Sequence, residues 1–280
     1  MFVMAVFTNL AITVGIDSAQ SDVDLLGRLL ILGYFGMFIL CVTSLVLADR
    51  PAQSAGYEDV LRLYPYLSLW GKTYCALRFL ICPFGRLESV VPRSGRVVSV
   101  GDGYGLFANL LAIRSPLRQV VGCDIDAARI EIASSSVGYR KNVSFFVSDH
   151  IPTLPPCDVV TMIDLLHHVP PAIRIELLKE VRRKLRPGGC LIIKDVDTHP
   201  RAKYLWNYAH DWLMTRGARC YYLGKMEMCN LLQPLGFTVI AEPLQTHTPY
   251  AHILYRCTKN EAAVGDDLDF SAMPEEKLAA

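Results

Sequence analysis

A basic excess is missing from this chain: its 280 residues carry 28 Lys and Arg against 27 Asp and Glu, a formal net charge of +1. With no basic stripe to attract phosphates, nucleic acid is not an expected partner. Charge is sparse throughout, at 20% of residues, whereas 52% are hydrophobic. The nine cysteines are odd in number and scattered, with no Cys-x-x-Cys pair. That argues against a disulfide framework and a metal site, and reads as buried free thiols in a reducing compartment. Charge is absent altogether from residues 29–48, a run of twenty bounded by Arg28 and by Asp49-Arg50. One hydrocarbon crossing takes about 20 residues. No basic region precedes this run and it lies far from the start, so a cleaved signal peptide is disfavoured. A membrane anchor over residues 1–48 is the expectation, and a buried helix pair of a soluble domain is the competing reading.

What the chain does contain is Val97-Val98-Ser99-Val100-Gly101-Asp102-Gly103-Tyr104-Gly105, followed nineteen residues later by Asp124 at the end of Val120-Val121-Gly122-Cys123-Asp124. A β-branched run, three alternate glycines and a helix-like segment describe a buried parallel strand turning into a helix whose free N–H groups face a ligand. Glycine permits a close approach that a Cβ would block. A second apolar strand ending in an acid about 20 residues on can offer its carboxylate to both hydroxyls of a ribose. Dinucleotide folds need Gly or Ala at the next helix position, where this chain has Leu106. A nucleotide-dependent oxidoreductase is therefore the disfavoured alternative.

Four further segments lie in order. They are Ser148-Asp149-His150-Ile151-Pro152-Thr153-Leu154-Pro155, the apolar run from Cys157 to Ile163 with Asp164-Leu165-Leu166-His167-His168-Val169, Leu185-Arg186-Pro187-Gly188-Gly189, and the strand Cys190 to Lys194. Together with the glycine loop they resemble the motifs of the class I S-adenosylmethionine-dependent methyltransferases, over residues 96–258. The resemblance implies an α/β fold: a Rossmann-like, seven-stranded, mostly parallel sheet with helices on both faces, here preceded by the hydrophobic segment read above as a transmembrane helix. It implies S-adenosylmethionine as cofactor, with Gly101, Gly103 and Gly105 under the methionine part, Asp124 on the ribose, and Asp149 with His150 on the adenine side. One departure is Ser99, where the family usually has an acid. Asp102 is the candidate to replace its charge, and a scaffold of the same fold that has lost activity is the alternative that this serine leaves open.

Strands are expected at 96–100, 119–124, 143–147, 158–163 and 189–195, with intervening helices and therefore parallel pairing. Residues 237–241 and 253–257 are expected to close the sheet as an antiparallel pair, as in the family. The organisation reads as an anchor at 1–48, an amphipathic helical linker or cap at 49–91 broken by Pro83, a catalytic domain at 92–258 and a disordered acidic tail at 259–280. Asp164, His167 and His168 are the catalytic candidates, at a strand end where a base could take a proton. Asp195 is a further candidate, and Tyr204, Tyr208 and His210 could line an acceptor pocket. The acceptor is expected to be a hydrophobic or membrane-associated small molecule, and the catalytic domain is expected to face the cytoplasm.

Overall fold

The computed structural model describes residues 56–148, 156–215, 217–244 and 248–260, together with Gly36. The chain divides into two compact units, Met1–Asp49 and Arg50–Ala280, and the architecture below is that of the second. Among the described residues no helix is long and apolar enough to cross a membrane. The uncharged run at 29–48, apart from Gly36, lies outside the described residues, as do Asp149, His150 and residues 261–280.

Among the described residues three helices precede the sheet: α1 (Tyr57–Leu61), α2 (Leu69–Ile81) and α3 (Phe84–Val90). Pro83 separates α2 from α3, because it has no N–H to continue the first helix and suits the start of the next. The Ser68 hydroxyl accepts the Gly71 N–H at 3.1 Å, which caps α2. Then come β1 (Gly95–Val100), α4 (Leu106–Arg114), β2 (Arg118–Asp124), α5 (Ala127–Ser135), β3 (Val143–Val147), β4 (Cys157–Ile163), a 3-10 turn (Leu166–His168), α6 (Pro171–Lys184), β5 (Leu185–Val196), α7 (Arg201–Met214), α8 (Lys225–Leu232), β6 (Phe237–Pro243) and β7 (His252–Lys259).

The seven strands form one sheet in the order β3-β2-β1-β4-β5-β7-β6. The first five run parallel, and β7 pairs antiparallel with both β5 and β6. This is the expected mostly parallel α/β sheet. Side chains alternate across it: Val97, Val159 and Ile192 join one core with α1 to α5, whereas Val98, Val160 and Ile193 join another with α6 and α8. Both faces being buried explains why the central strands read as continuous apolar runs.

Two boundaries differ from expectation. β5 starts at Leu185, which pairs with Cys157, and the register then shifts so that Val159 meets Cys190. Arg186-Pro187-Gly188-Gly189 is the irregularity, with Gly188 at a left-handed φ of 69°. β7 also runs past the expected domain end at 258. Lys259 is the last residue of β7, and the Asn260 N–H donates to the Gly236 carbonyl at 3.0 Å.

Candidate active site

The strand order reverses between β1 and β4, and in open α/β sheets ligands bind beyond the carboxyl ends of the strands at such a switch point. The glycine loop stands there. Gly101, Gly103 and Gly105 have φ of 69°, 55° and 77°, all in the left-handed region. A Cβ at Gly101 would come within 2.7 Å of Leu165, and one at Gly105 within 2.6 Å of Phe145. Those two glycines are demanded by packing. A Cβ at Gly103 would meet only Asp124 Oδ2, at 4.0 Å. Gly103 therefore faces open space, a cradle that a side chain would begin to fill. The Cys123 carbonyl holds the loop by accepting the N–H groups of Gly101 at 2.8 Å and Asp102 at 3.0 Å.

Asp124 is buried at the end of β2. Its Oδ2 accepts the Gly103 N–H at 2.8 Å and its Oδ1 accepts the Asp126 N–H at 3.0 Å. The carboxylate thus ties strand to loop, and each oxygen keeps a second lone pair for a ligand hydroxyl. Cradle and acid together fit an adenosyl sulfonium, with its amino-acid end over the loop and its ribose at Asp124.

Asp102 departs from its expected place. Its Oδ1 accepts the Ser99 hydroxyl at 2.8 Å, while Oδ2 is buried with no hydrogen-bond partner. A Cβ built on Gly122 would lie 3.0 Å from that oxygen. The carboxyl is turned inward against β2, not out into the cradle. Burial pushes its pKa up to about 7, against the opposing hydrogen bonds from Ser99 and the Ala108 backbone. Ser99 and Asp102 form an internal pair at the base of the loop.

Asp164 follows β4 with a φ of 53°, among the described residues the one non-glycine in the left-handed region. Its N–H donates to the Lys194 carbonyl at 2.8 Å. Its carboxylate sits between Arg78, at 3.0 Å, and the Lys194 ammonium. Burial alone would raise its pKa, but Lys194 and Arg78 outweigh burial and hold the carboxyl well below the ordinary range. His252 lies nearby, donating from Nε2 to the Ile81 carbonyl at 3.0 Å. Burial and the Lys194 charge keep that imidazole neutral. Asp164 is therefore the anion of a buried ion-pair group and is badly placed to act as a base.

His167 is also committed. Its Nδ1 contacts the Asp195 carboxylate, and its Nε2 lies 3.5 Å from Asp211 Oδ2. Burial would lower its pKa, but the Asp195 and Asp211 charges raise it overall. Tyr222 stacks on the ring at 5.3 Å, and its hydroxyl donates to Asp211 at 2.6 Å. His168 is the exposed member of the pair. Burial of its ring and the neighbouring His167 lower its pKa, and its Nδ1 is 3.5 Å from Cys220 Sγ. A strap at 217–224 crosses this turn: the Tyr221 N–H donates to the His167 carbonyl at 2.7 Å, and Arg174 donates to the carbonyls of Leu166 and Tyr221. On α7, Tyr204 and Tyr208 pack against Tyr222 at 5.3 and 6.3 Å. His210 is paired with the Tyr250 hydroxyl at 3.1 Å.

The structure thus brings Asp124 and the glycines into one cradle and His167, His168, Tyr204 and Tyr208 into a neighbouring polar-aromatic cluster. Sequence reasoning missed Arg78, Lys194, Asp211, Cys220 and Tyr222. One signal was available: Lys194 ends the apolar run Leu191-Ile192-Ile193 and is 1% exposed, and a buried ammonium requires a partner.

Comparison with known proteins agrees with this geometry. The methyltransferase domain family matches residues 80–242, more than half of the chain. The ubiquinone biosynthesis O-methyltransferase of Aeromonas salmonicida is 23% identical over 206 residues, spanning 68% of this chain and 81% of that protein. The crystal structure of an S-adenosylmethionine-dependent methyltransferase from Methanosarcina mazei superposes with a TM-score of 0.51 at 21% identity, covering 62% of this chain and 97% of that one. An O-methyltransferase family 2 protein from Planctomyces limnophilus, solved with apigenin, gives a TM-score of 0.56 at 16% identity over 75% of this chain and 67% of its own. The chain belongs to the methyltransferase domain family and is an S-adenosylmethionine-dependent methyltransferase.

Proposed function

We propose that this methyltransferase acts on a hydroxyl oxygen of a hydrophobic, phenol-like acceptor delivered from a membrane. The observation that carries this reading is the exposed imidazole of His168, 4.0 Å from the His167 ring, which Tyr222 stacks on and against which Tyr204 and Tyr208 are gathered through Tyr222, at the carboxyl ends of β4 and β5. Aromatic walls suit a planar apolar acceptor. A carboxylate acceptor would require a free cation; at this end of the sheet Arg78 and Lys194 both pair with Asp164, and Arg174 donates to the carbonyls of Leu166, Val169 and Tyr221. The names of the relatives point the same way: one serves ubiquinone biosynthesis as an O-methyltransferase, and another was crystallised with apigenin.

The sulfonium donor supplies a methyl group that is already activated, so the protein has three tasks: alignment, exclusion of water and removal of the hydroxyl proton. In this reading Asp124 holds the ribose and Gly101, Gly103 and Gly105 let the donor approach the backbone. Asp149 and His150 would serve the adenine side. His167, fixed by Asp195 and Asp211, orients the turn, and Asp164 holds α2 to β4 and β5. The exposed His168 takes the proton. Residues 1–48 anchor the chain, with the catalytic domain on the cytoplasmic side, where the donor is made. Twenty uncharged residues satisfy their own backbone in lipid only as a helix.

The test is release of S-adenosylhomocysteine with vesicle-embedded catechols and quinol-like phenols, compared with fatty acids and soluble amines. The phenols should turn over, and His168→Ala should lower kcat about 100-fold without changing donor affinity. Turnover of fatty acids alone, or a His168→Ala enzyme with full kcat, would contradict the reading.

A further inference from the structure

We propose that His167, His168, Asp211 and Cys220 form a binding site for a divalent cation of the zinc class. Donor atoms of His167, His168 and Asp211 lie within 4.8 Å of one another. His167 Nε2 is 3.5 Å from Asp211 Oδ2, and His168 Nδ1 is 3.5 Å from Cys220 Sγ. Metal–ligand lengths of about 2.0 to 2.3 Å in a tetrahedron put neighbouring donors roughly 3.3 to 3.6 Å apart. Two of the donor pairs therefore already stand at coordination spacing, and Cys220 reaches the group of three through His168.

The surroundings suit the same purpose. Asp195 engages His167 Nδ1, so a cation that displaces the proton from Nε2 would find that nitrogen beside Asp211. A histidine whose far nitrogen is held by a carboxylate is the usual outer-shell arrangement around a bound metal. The donors come from three segments, the 3-10 turn, α7 and the strap at 217–224. The Tyr221 N–H to His167 carbonyl bond and the Tyr222 hydroxyl on Asp211 hold these segments together in advance. Two imidazoles, a carboxylate and a thiolate make a borderline-soft set, which selects zinc or cobalt over magnesium or calcium.

Occupancy has a consequence for the proposed reaction, and that consequence alone rests on the preceding reading. Coordination through His168 Nδ1 leaves the proton of the ring on Nε2, so the metal-bound ring accepts no proton from an acceptor hydroxyl. Four protein donors also leave no open position for a catalytic water. The cation would therefore restrain the enzyme and not drive its chemistry.

The site is tested by metal binding without donor or acceptor, so failure of the proposed reaction would not affect the result. Full-length protein in detergent, stripped with chelator, is dialysed against zinc and analysed for bound metal, and in parallel is titrated with cobalt. One zinc per chain is expected, with the intense visible bands of tetrahedral cobalt and a near-ultraviolet thiolate band. Cys220→Ser should lose the thiolate band. Asp195→Asn should bind about 10- to 100-fold more weakly, and His168→Gln, a change at an exposed side chain, should bind less than a full equivalent. Substoichiometric zinc in the wild-type protein would overturn the proposal, as would octahedral cobalt spectra or binding unchanged in both Cys220→Ser and His168→Gln.

Discussion

At the amino ends of the parallel strands the fully buried Arg118 has each of its nitrogens engaged, although Arg140 Nη1, just before β3, is buried without a partner; at the carboxyl ends a carboxylate and an imidazole both carry unpaired atoms. Arg118, at the start of β2, is completely buried. It donates to Glu88 at 2.7 Å and to the carbonyls of Pro92, Val91 and Leu111 at 2.7, 2.7 and 3.1 Å. Asp158, at the start of β4, accepts the Arg96 N–H at 2.7 Å and pairs with Arg186 at 2.6 Å. At the other end Asp102 Oδ2 and His252 Nδ1 are buried without partners, and Asp164 holds a left-handed backbone. Unpaired polar atoms and off-region backbone each cost on the order of 1–3 kcal/mol. A fold that closes one end with saturated ion pairs can carry such costs at the end where it binds a ligand. Burial of charge alone does not mark an active site in this molecule, since Arg118, at 0% exposed, lies at the end away from the glycine loop.

The largest expected effect tests the saturated end. Arg118→Met leaves the Pro92 and Val91 carbonyls without their donor and leaves Glu88 only the more exposed Arg93. Breaking such a pair costs about 3–5 kcal/mol, readable by urea unfolding, while the molecules that remain folded should bind donor normally. A loss below about 1 kcal/mol would mean that this cluster is not what secures the end of the sheet.

A smaller effect tests the unsaturated end. Folded Asp102 keeps its proton to about pH 7, whereas an unfolded aspartate loses it near 3.8. Between these values the folded state binds more protons than the unfolded one, so the contribution of Asp102 to stability falls as pH rises from about 4 to 7. The loss is on the order of 2–4 kcal/mol by pH 8. Asp102→Asn removes this dependence, so its stability relative to the wild type should increase across that window and level off above it. Parallel stability curves for the two proteins from pH 4 to 8 would show that Asp102 is not buried as described.

The glycine loop, Asp124 and the five parallel strands were legible because each follows from a local rule: period-2 burial on both faces, positive φ at alternate glycines, and an acid one strand on. Position 99 was legible as an anomaly and not as a solution. The inward turn of Asp102 depends on Gly122, a residue of the neighbouring strand that leaves room for the carboxyl. The His167-His168 pair was found, but the roles of its members were not, since Asp195, Asp211 and Tyr222 reach them from β5, α7 and the strap. The opposed pKa directions of two adjacent histidines are a tertiary effect: carboxylates on both sides raise His167, whereas burial of its ring and the neighbouring His167 lower His168. Cys220, fifty-two positions from His168, carried no signal as one of nine scattered cysteines.

Calorimetric titration of S-adenosylmethionine into the wild-type protein and into Asp124→Ala tests most directly the claim that the unsaturated end is the donor site. The substitution removes the carboxylate that would accept the ribose hydroxyls and that holds the Gly103 N–H at 2.8 Å. Two charge-assisted hydrogen bonds are worth together about 2–4 kcal/mol. The account predicts one donor per chain in the wild type and affinity at least tenfold weaker in Asp124→Ala, with Gly103→Ala impaired as well because its Cβ enters the cradle. Equal affinity in the wild type and Asp124→Ala would contradict it, and the donor would then have to bind somewhere other than the carboxyl ends of β1 and β2.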